Sequence, residues 1–232
     1  LEDNECLDDI TMKDALDTDV LDPDDASTKL DFSNFDTGGD LAYAVDRLKF
    51  SYSITKQFGD IDGDGKIDKM LSYGGRSFSI WDAESGTLVF DSGNDFERIT
   101  AQRYGADFNQ SNDANGEPED RSDNKGPEPE ALTVGKINGH TYAFIGLERM
   151  GGIMVYDVSN PNNPEYVQYI NNRDITVDNT TLEAGGAGDL GPEGMAFVSA
   201  ENSPSGKPML IVGNEVSGTT TFYNIDVSLL NN

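Results

Sequence analysis

The sequence predicts an all-β protein, a β-propeller of which this chain forms about three blades with long acidic loops. Short apolar runs broken by Gly, Asn, Asp and Pro follow one another from residue 41 onward, which is typical of strands and turns. Asn138-Gly139 between two such runs is a strong hairpin signal, and two segments repeat each other. Because known propellers close with about four to eight blades, three blades predict part of a larger propeller.

The composition narrows the classes of function. The 232 residues carry 16 Lys and Arg against 43 Asp and Glu, a formal net charge of −27. This charge repels phosphates, so it excludes nucleic-acid binding through a basic patch and disfavours docking on anionic membranes. No apolar run is long enough for a transmembrane helix, so no direct membrane insertion is expected. A folded chain with so many carboxylates needs cations near them, which makes calcium the first expected partner.

The chain divides by composition at residue 40. Residues 1–40 form an acidic lead-in or linker with a short helix predicted near 11–16, and residues 41–232 form the partial propeller. Residues 109–126 and 171–191 are too polar for strands and are interpreted as surface loops. Eleven strands are predicted, at 47–54, 69–73, 77–82, 87–91, 132–137, 141–147, 152–158, 166–170, 194–198, 209–214 and 219–225.

The internal repeat is the most informative pattern. Tyr142–Val158 aligns without gaps on Met209–Ile225, and a third, weaker copy ends at Phe78–Asp82. The blade repeats therefore end near 82–91, 158–170 and 225. A repeat of about 65 residues is somewhat longer than an ordinary propeller blade, because the loops are long.

A calcium-binding loop is predicted at residues 60–68. Carboxylates stand at positions 1, 3, 5 and 9, a backbone carbonyl is available at position 7, and Gly65 at position 6 permits the sharp turn. Position 12 is Leu71, so the bidentate Glu of an EF-hand is missing; the alternative is a merely acidic surface turn. The predicted metal residues are Asp60, Asp62, Asp64, Lys66 and Asp68.

A second candidate site consists of glutamates at equivalent positions of successive repeats. Such positions lie on one ring around a propeller axis, so four carboxylates are candidates for an axial metal, structural or catalytic; alternatively they cap backbone amides at blade junctions. These are Glu130, Glu148, Glu193 and Glu215, with Glu128, Asp123 and Asp189 beside them. If the site is catalytic, a second metal such as iron or zinc is expected.

No catalytic residue is assigned from the sequence. A nucleophile elbow is lacking, His140 follows Asn-Gly at a hairpin tip, and Cys6 lies among acidic residues that raise a thiol pKa. Residues 185–188 lack the Lys and Ser/Thr of a phosphate loop. Five arginines are candidates for anion binding or surface ion pairs: Arg76, Arg98, Arg103, Arg149 and Arg173.

Seven segments in order resemble the choice-of-anchor I domain family, which is related to mesenchyme-specific cell-surface glycoproteins. The resemblance runs from about Leu41 to Asp226. Its segments are Gly75–Asp82, Asp95–Thr100, Lys125–Glu130, Gly146–Asp157, Asn171–Asp174, Gly188–Gly194 and Asn214–Thr219. The resemblance implies an extracellular or surface-attached β-propeller, often labelled alkaline phosphatase-like.

These observations favour a secreted or cell-surface calcium-binding propeller that acts as an extracellular binding or matrix module; a periplasmic location is the other compartment considered. The expected partners are calcium and the remaining propeller blades or neighbouring chains. Two alternatives stay open. One is a metal-dependent phosphoesterase with an axial carboxylate-bound metal, and the other is a structural subunit of an extracellular assembly.

Overall fold

The computed structural model describes residues 9–11, 20–22, 25–29 and 49–229. The chain divides into two compact units, residues 1–74 and 75–232. Cys6, the helix predicted near residue 12 and the predicted boundary at residue 40 lie outside the described residues, and the division at residue 40 stays a prediction.

The described residues of the first unit form two small antiparallel ladders. Strands β1 (Asp9–Thr11) and β4 (Lys49–Ser51) pair, as do β2 (Val20–Asp22) and β3 (Asp25–Lys29). Helix α1 (Tyr52–Phe58) follows β4 directly.

The predicted strand at 47–54 is wrong in its second half. The Ser51 hydroxyl accepts a hydrogen bond from the backbone N–H of Ile54, and this cap starts α1 inside the predicted strand. The predicted strand at 69–73 is also wrong, since only an isolated bridge between Phe50 and Ser72 forms there.

The second unit contains three antiparallel sheets. A two-stranded sheet pairs β5 with β6, a four-stranded sheet has the order β10-β9-β8-β7, and a three-stranded sheet has the order β11-β12-β13. The strands are β5 (Ser79–Trp81), β6 (Leu88–Asp91), β7 (Pro129–Ile137), β8 (His140–Leu147), β9 (Ile153–Asp157), β10 (Glu165–Ile170), β11 (Pro192–Val198), β12 (Met209–Asn214) and β13 (Thr219–Asn224). Helices α2 (Asp95–Tyr104) and α3 (Asn179–Glu183) and two 3-10 turns, Gly105–Asp107 and Val227–Leu229, complete the unit.

The four-stranded sheet is buried on both faces, which makes it the centre of the second unit. On one face Ile145 and Tyr156 pack against Phe96 of α2. On the other face Phe144 packs against the three-stranded sheet, with its ring stacked 6.0 Å from that of Phe197. This two-sided burial explains why β8 and β9 are almost continuously apolar.

The hairpin and the internal repeat predicted from the sequence are confirmed. Asn138 and Gly139 both have positive φ, 52° and 90°, as the turn between β7 and β8 requires. Strands β7–β9 and β11–β13 are two copies of the same antiparallel meander. The all-β class is therefore confirmed.

The two segments interpreted as surface loops form no strands, as expected, but some of their residues also contribute to the interior. Asn109, Gln110 and Asn112 of the first loop are almost completely buried, and Leu182 and Leu190 of the second pack together. Polar side chains fill this interior because they bond to the loop backbone, as Gln110 does through its amide to the Gly116 N–H. Within the described residues, no helix has the length and apolar character needed to cross a bilayer.

Candidate functional site

The acidic loop at residues 60–68 is held by hydrogen bonds from its own backbone. The two carboxylate oxygens of Asp60 accept from the N–H groups of Gly63 and Gly65, at 2.7 and 2.9 Å. Both glycines have a positive φ, 80° and 87°, a backbone conformation that residues with a Cβ rarely adopt. The loop therefore turns sharply around the carboxylate of its first residue.

Two further carboxylates converge on this turn. Asp68 is buried, with an Oδ2 that accepts from the N–H groups of Ile61 and Asp62 at 2.8 and 3.4 Å. Oxygens of Asp60, Asp62 and Asp68 all lie within 4.8 Å of one another. Three carboxylates at this distance repel each other in the absence of a cation, and oxygen ligands of this kind are those that Ca²⁺ prefers.

The other two predicted ligands of the loop are placed differently. Asp64 does not belong to the group of three; its Oδ2 pairs with Lys66 Nζ at 3.1 Å. That ion pair is solvent-exposed, so it is weak and easily rearranged. Asp64 and the Lys66 carbonyl as metal ligands stay predictions.

A second carboxylate cluster forms in the other unit, where β7 begins and β8 ends. Pro129 pairs with Leu147 across the ladder, so the residues on either side of this pair come together. Carboxylate oxygens of Glu128, Glu130 and Glu148 lie within 4.8 Å of one another, and only Glu130 is exposed. The structure thus brings together Glu130 and Glu148 of the predicted ring and Glu128, which is expected beside it. An axial metal at these residues stays a prediction.

Three cations surround Glu128. Its carboxylate lies 2.6 Å from Arg121 Nη2, 2.9 Å from Lys125 Nζ and 3.2 Å from Arg149 Nε. Burial alone would raise the pKa of Glu128, but the hydrogen bonds from Lys125 and Arg121 outweigh it and lower that pKa. Glu128 is therefore an anion that fastens the segment from residue 121 to the end of β8.

Glu148 has the opposite electrostatic character. Its Oε1 accepts from the Asn112 amide at 3.0 Å and lies 3.2 Å from Arg149 Nη2. Burial raises the pKa of Glu148 to about 8; Arg149 opposes this rise, and the Glu128 charge adds to it. Near neutral pH this carboxyl is largely protonated beside an ionised one, an arrangement that stores one proton between two buried groups.

The other two predicted axial glutamates lie on the three-stranded sheet. Glu193 is the second residue of β11 and Glu215 follows β12; both are exposed. In the part of the chain that the structure describes, neither belongs to a group of three potential metal ligands. A ring of four glutamates stays a prediction.

Of the three acidic residues predicted beside the ring, Glu128 belongs to the cluster described above, and Asp189 has a structural role of its own. Its carboxylate accepts from the hydroxyls of Thr219, Thr221 and Tyr223 and from the Asn172 amide. Burial raises the pKa of Asp189, but these hydrogen bonds prevail and lower it. It therefore ties the loop before β11 to β13. Asp123 lies between Arg121 and Lys125, the two residues of this segment whose side chains contact Glu128.

The candidate arginines bind protein groups. Arg76 pairs with Glu97 at 2.7 Å and Arg98 with Asp95 at 2.6 Å. Arg173 is buried and donates to the carbonyl oxygens of Arg149 and Ala114. Arg103 lies over the rings of Tyr104 and Tyr169.

His140 is exposed at the start of β8, with Nδ1 2.7 Å from Asp157 Oδ2.

Sequence reasoning missed Asn112, Arg121 and Lys125. All three lie in residues 109–126, a segment whose composition resembles a surface loop, and only the fold shows that this segment covers the β7–β8 junction. The spacing of Arg121 and Lys125 from Glu128 gives no sign of contact, because the intervening chain turns back on itself through Gly126.

Comparison with known proteins yields one family and one relative. The profile of the choice-of-anchor I domain matches residues 6–161. Gigasin-3a from Magallana gigas is 31% identical over 187 residues, which cover 78% of this chain. The chain spans just under two thirds of that protein, 66% of its length. No solved structure matches the chain significantly.

Proposed function

We propose that this chain, which belongs to the choice-of-anchor I domain family, is a calcium-stabilised extracellular binding module. The observation that carries the proposal is the convergence of Asp60, Asp62 and Asp68 on one loop. Calcium supplies positive charge between the three converging carboxylates, and it stiffens the unit that contains the loop.

The loop is suited to a cation because its geometry exists before binding. Backbone N–H groups of residues 61 to 65 already orient the carboxylates, so binding costs little ordering of the chain. The glycines at positions 4 and 6 leave room around the turn, since a Cβ at Gly63 or Gly65 would meet no atom within 4 Å. Solvent molecules can complete the coordination of calcium at such an exposed loop.

The stacking of the sheets supports a propeller-like architecture. Phe144 and Val155 of the four-stranded sheet pack on the three-stranded sheet. Their equivalents in the repeat, Ile211 and Phe222, lie on the far face of the three-stranded sheet, and Phe222 is 63% exposed. The same face is thus available to a further sheet of the same kind, which is how propeller blades follow one another.

The second carboxylate cluster does not favour the phosphoesterase alternative. Its central member, Glu128, already has Arg121, Lys125 and Arg149 around it. These ion pairs satisfy the carboxylate without a metal, and they make the cluster a structural support for the β7–β8 junction. We therefore assign the metal-binding role to the loop at residues 60–68.

Calorimetric titration of the chelator-treated full chain with CaCl₂ tests the proposal. We expect a saturable binding event that is lost in Asp62→Asn, because this change removes one of three converging charges. Asp107→Asn, an exposed aspartate outside the loop, serves as the matched control and keeps the affinity of the natural sequence. Equal binding by Asp62→Asn and the natural sequence would refute the assignment.

A further inference from the structure

The outer edge of β13 has no strand beside it among the described residues. The four-stranded sheet ends in β10, which pairs antiparallel with β9, whereas the three-stranded sheet ends in β13, the repeat equivalent of β9. An edge strand of six residues offers backbone N–H and C=O groups that form hydrogen bonds with an added strand.

The backbone groups that face this edge can be identified. The N–H of Ile225 donates to the carbonyl of Pro208, next to β12. Because the bonding direction alternates along an antiparallel strand, the N–H groups of Thr220, Phe222 and Asn224 point to the outer edge.

An apolar groove adjoins the same edge. It has a volume of about 180 Å³ and lies between the outer strands of the two sheets. Ile153, Ile170, Leu210 and Tyr223 form much of its wall, and Asp226 stands at it as a charged group. The groove continues the packed interface between the two sheets. A cavity of about 150 Å³ with aliphatic and aromatic walls is large enough for a benzene ring.

The repeat indicates which side chains would occupy the groove. In the four-stranded sheet, Tyr169 of β10 pairs with Met154 and Tyr166 pairs with Tyr156. The equivalents of Met154 and Tyr156 in the repeat are Thr221 and Tyr223, and Tyr223 packs toward the four-stranded sheet. A strand of the β10 type added to β13 would therefore direct two aromatic residues to the side of the groove.

We propose that the edge of β13 and the adjoining groove bind an extended peptide strand, antiparallel to β13, that carries aromatic residues on its inward side. The main-chain bonds give affinity, and the groove selects the aromatic residues. This interaction surface is independent of the calcium loop, which lies in the other unit.

The test uses a fluorescently labelled peptide with the sequence of residues 163–172, titrated into the full chain and followed by anisotropy. We expect saturable one-to-one binding that weakens about tenfold when both tyrosines of the peptide are replaced by serine. Two N-methylated peptides provide a matched pair: within residues 168–172, which follow the register shift of β10, they are modified at alternate residues in opposite phase. Only the phase whose N–H groups face β13 should lose binding.

Variants at Phe222 test the protein side of the interface. Phe222→Pro removes an outward N–H without removing a bond to β12, and edge strands tolerate proline in that orientation. We expect Phe222→Pro to lose about tenfold in affinity, and Phe222→Ala, which keeps the N–H, to change it less than about twofold. If Phe222→Pro does not fold, as judged by circular dichroism, the N-methylated pair decides alone.

Three results would overturn the proposal. These are the absence of saturable binding up to about 1 mM peptide, equal binding of the two N-methylated peptides, and self-association of the chain through β13. Light scattering reveals self-association as a doubled mass that Phe222→Pro abolishes and Phe222→Ala retains. That last result would make a second copy of the chain the occupant.

Discussion

At the scale of single residues, the structure assigns opposite roles to two neighbouring glutamates. Glu128 and Glu148 are both buried, and their carboxylates lie in one cluster. Cationic side chains surround the carboxylate of Glu128, whereas that of Glu148 contacts the Asn112 amide and the Nη2 atom of Arg149. Burial raises the pKa of Glu148 to about 8, whereas the hydrogen bonds from Lys125 and Arg121 lower the pKa of Glu128.

Glu148→Gln should change the dependence of stability on pH. A carboxyl whose pKa rises on folding, here from 4.5 to about 8, stabilises the folded state below the unfolded pKa. That contribution is lost as the pH rises from about 4.5 to about 8, because in this range the unfolded state releases the proton while the folded state still holds it. Glutamine mimics the protonated form, so we expect the variant to exceed the natural chain by about 2–4 kcal/mol at pH 8.5.

Urea unfolding at pH 5.5, 7 and 8.5 measures this difference. The advantage of Glu148→Gln should grow from the lowest to the highest pH. Glu84→Gln, at an exposed turn, is the control and should follow the natural chain at every pH. A constant difference across the pH range would contradict the assignment of a raised pKa to Glu148.

At the scale of secondary-structure elements, α2 determines how one face of the four-stranded sheet is closed. Its apolar residues Phe96 and Ile99 repeat at helical spacing and pack on the sheet. The helix was not among the predicted elements, although its spacing and the Gly105 that follows it are sequence signals for a helix.

Phe96→Ala should therefore destabilise the second unit. Phe96 is fully buried, with its ring 6.1 Å from Phe78 and 6.2 Å from Tyr156, so truncation leaves a cavity that the sheet cannot fill. We expect a loss of about 3–5 kcal/mol in the free energy of unfolding, measured with urea. Gln102→Ala on the exposed side of the same helix should change it by less than about 0.5 kcal/mol; comparable losses in the two variants would show that α2 does not close this face.

At the scale of the whole molecule, the chain forms two compact units and carries a net charge of −27, so the unit in which a cation binds determines where it stabilises the protein. The loop at residues 60–68 belongs to the first unit and the buried glutamate cluster to the second. A cation at the loop therefore acts on the first unit by mass action, while the ion pairs of Glu128 act within the second.

Scanning calorimetry should accordingly show two transitions, of which calcium raises only one. At a free concentration about 100 times the dissociation constant, the expected stabilisation of the first unit is about 2.7 kcal/mol. EDTA should reverse it, and Asp62→Asn should remove it. If calcium shifted both transitions equally in Asp62→Asn and in the natural chain, the relevant cations would bind elsewhere.

Much of the fold was predictable because local patterns determine it. The Asn138-Gly139 turn requires positive φ at both residues, and the repeat of residues 142–158 at 209–225 marks two copies of one meander. The boundaries of β8 to β13 differ from prediction by at most two residues. The first three residues of α1, 52–54, are helical and not extended as predicted, because the Ser51 cap overrides the strand propensity that follows it.

The sequence by itself determined the all-β class, the repeat, the family and the acidic loop, because each depends on neighbouring residues or on spacing along the chain. The tertiary structure alone decided that Glu128 joins Glu130 and Glu148, and that Glu193 and Glu215 lie exposed on another sheet. It also decided that the first residues of the polar segment at 109–126, Asn109 to Asn112, are buried. These outcomes depend on contacts between residues far apart in sequence, whose burial and charge no local pattern records.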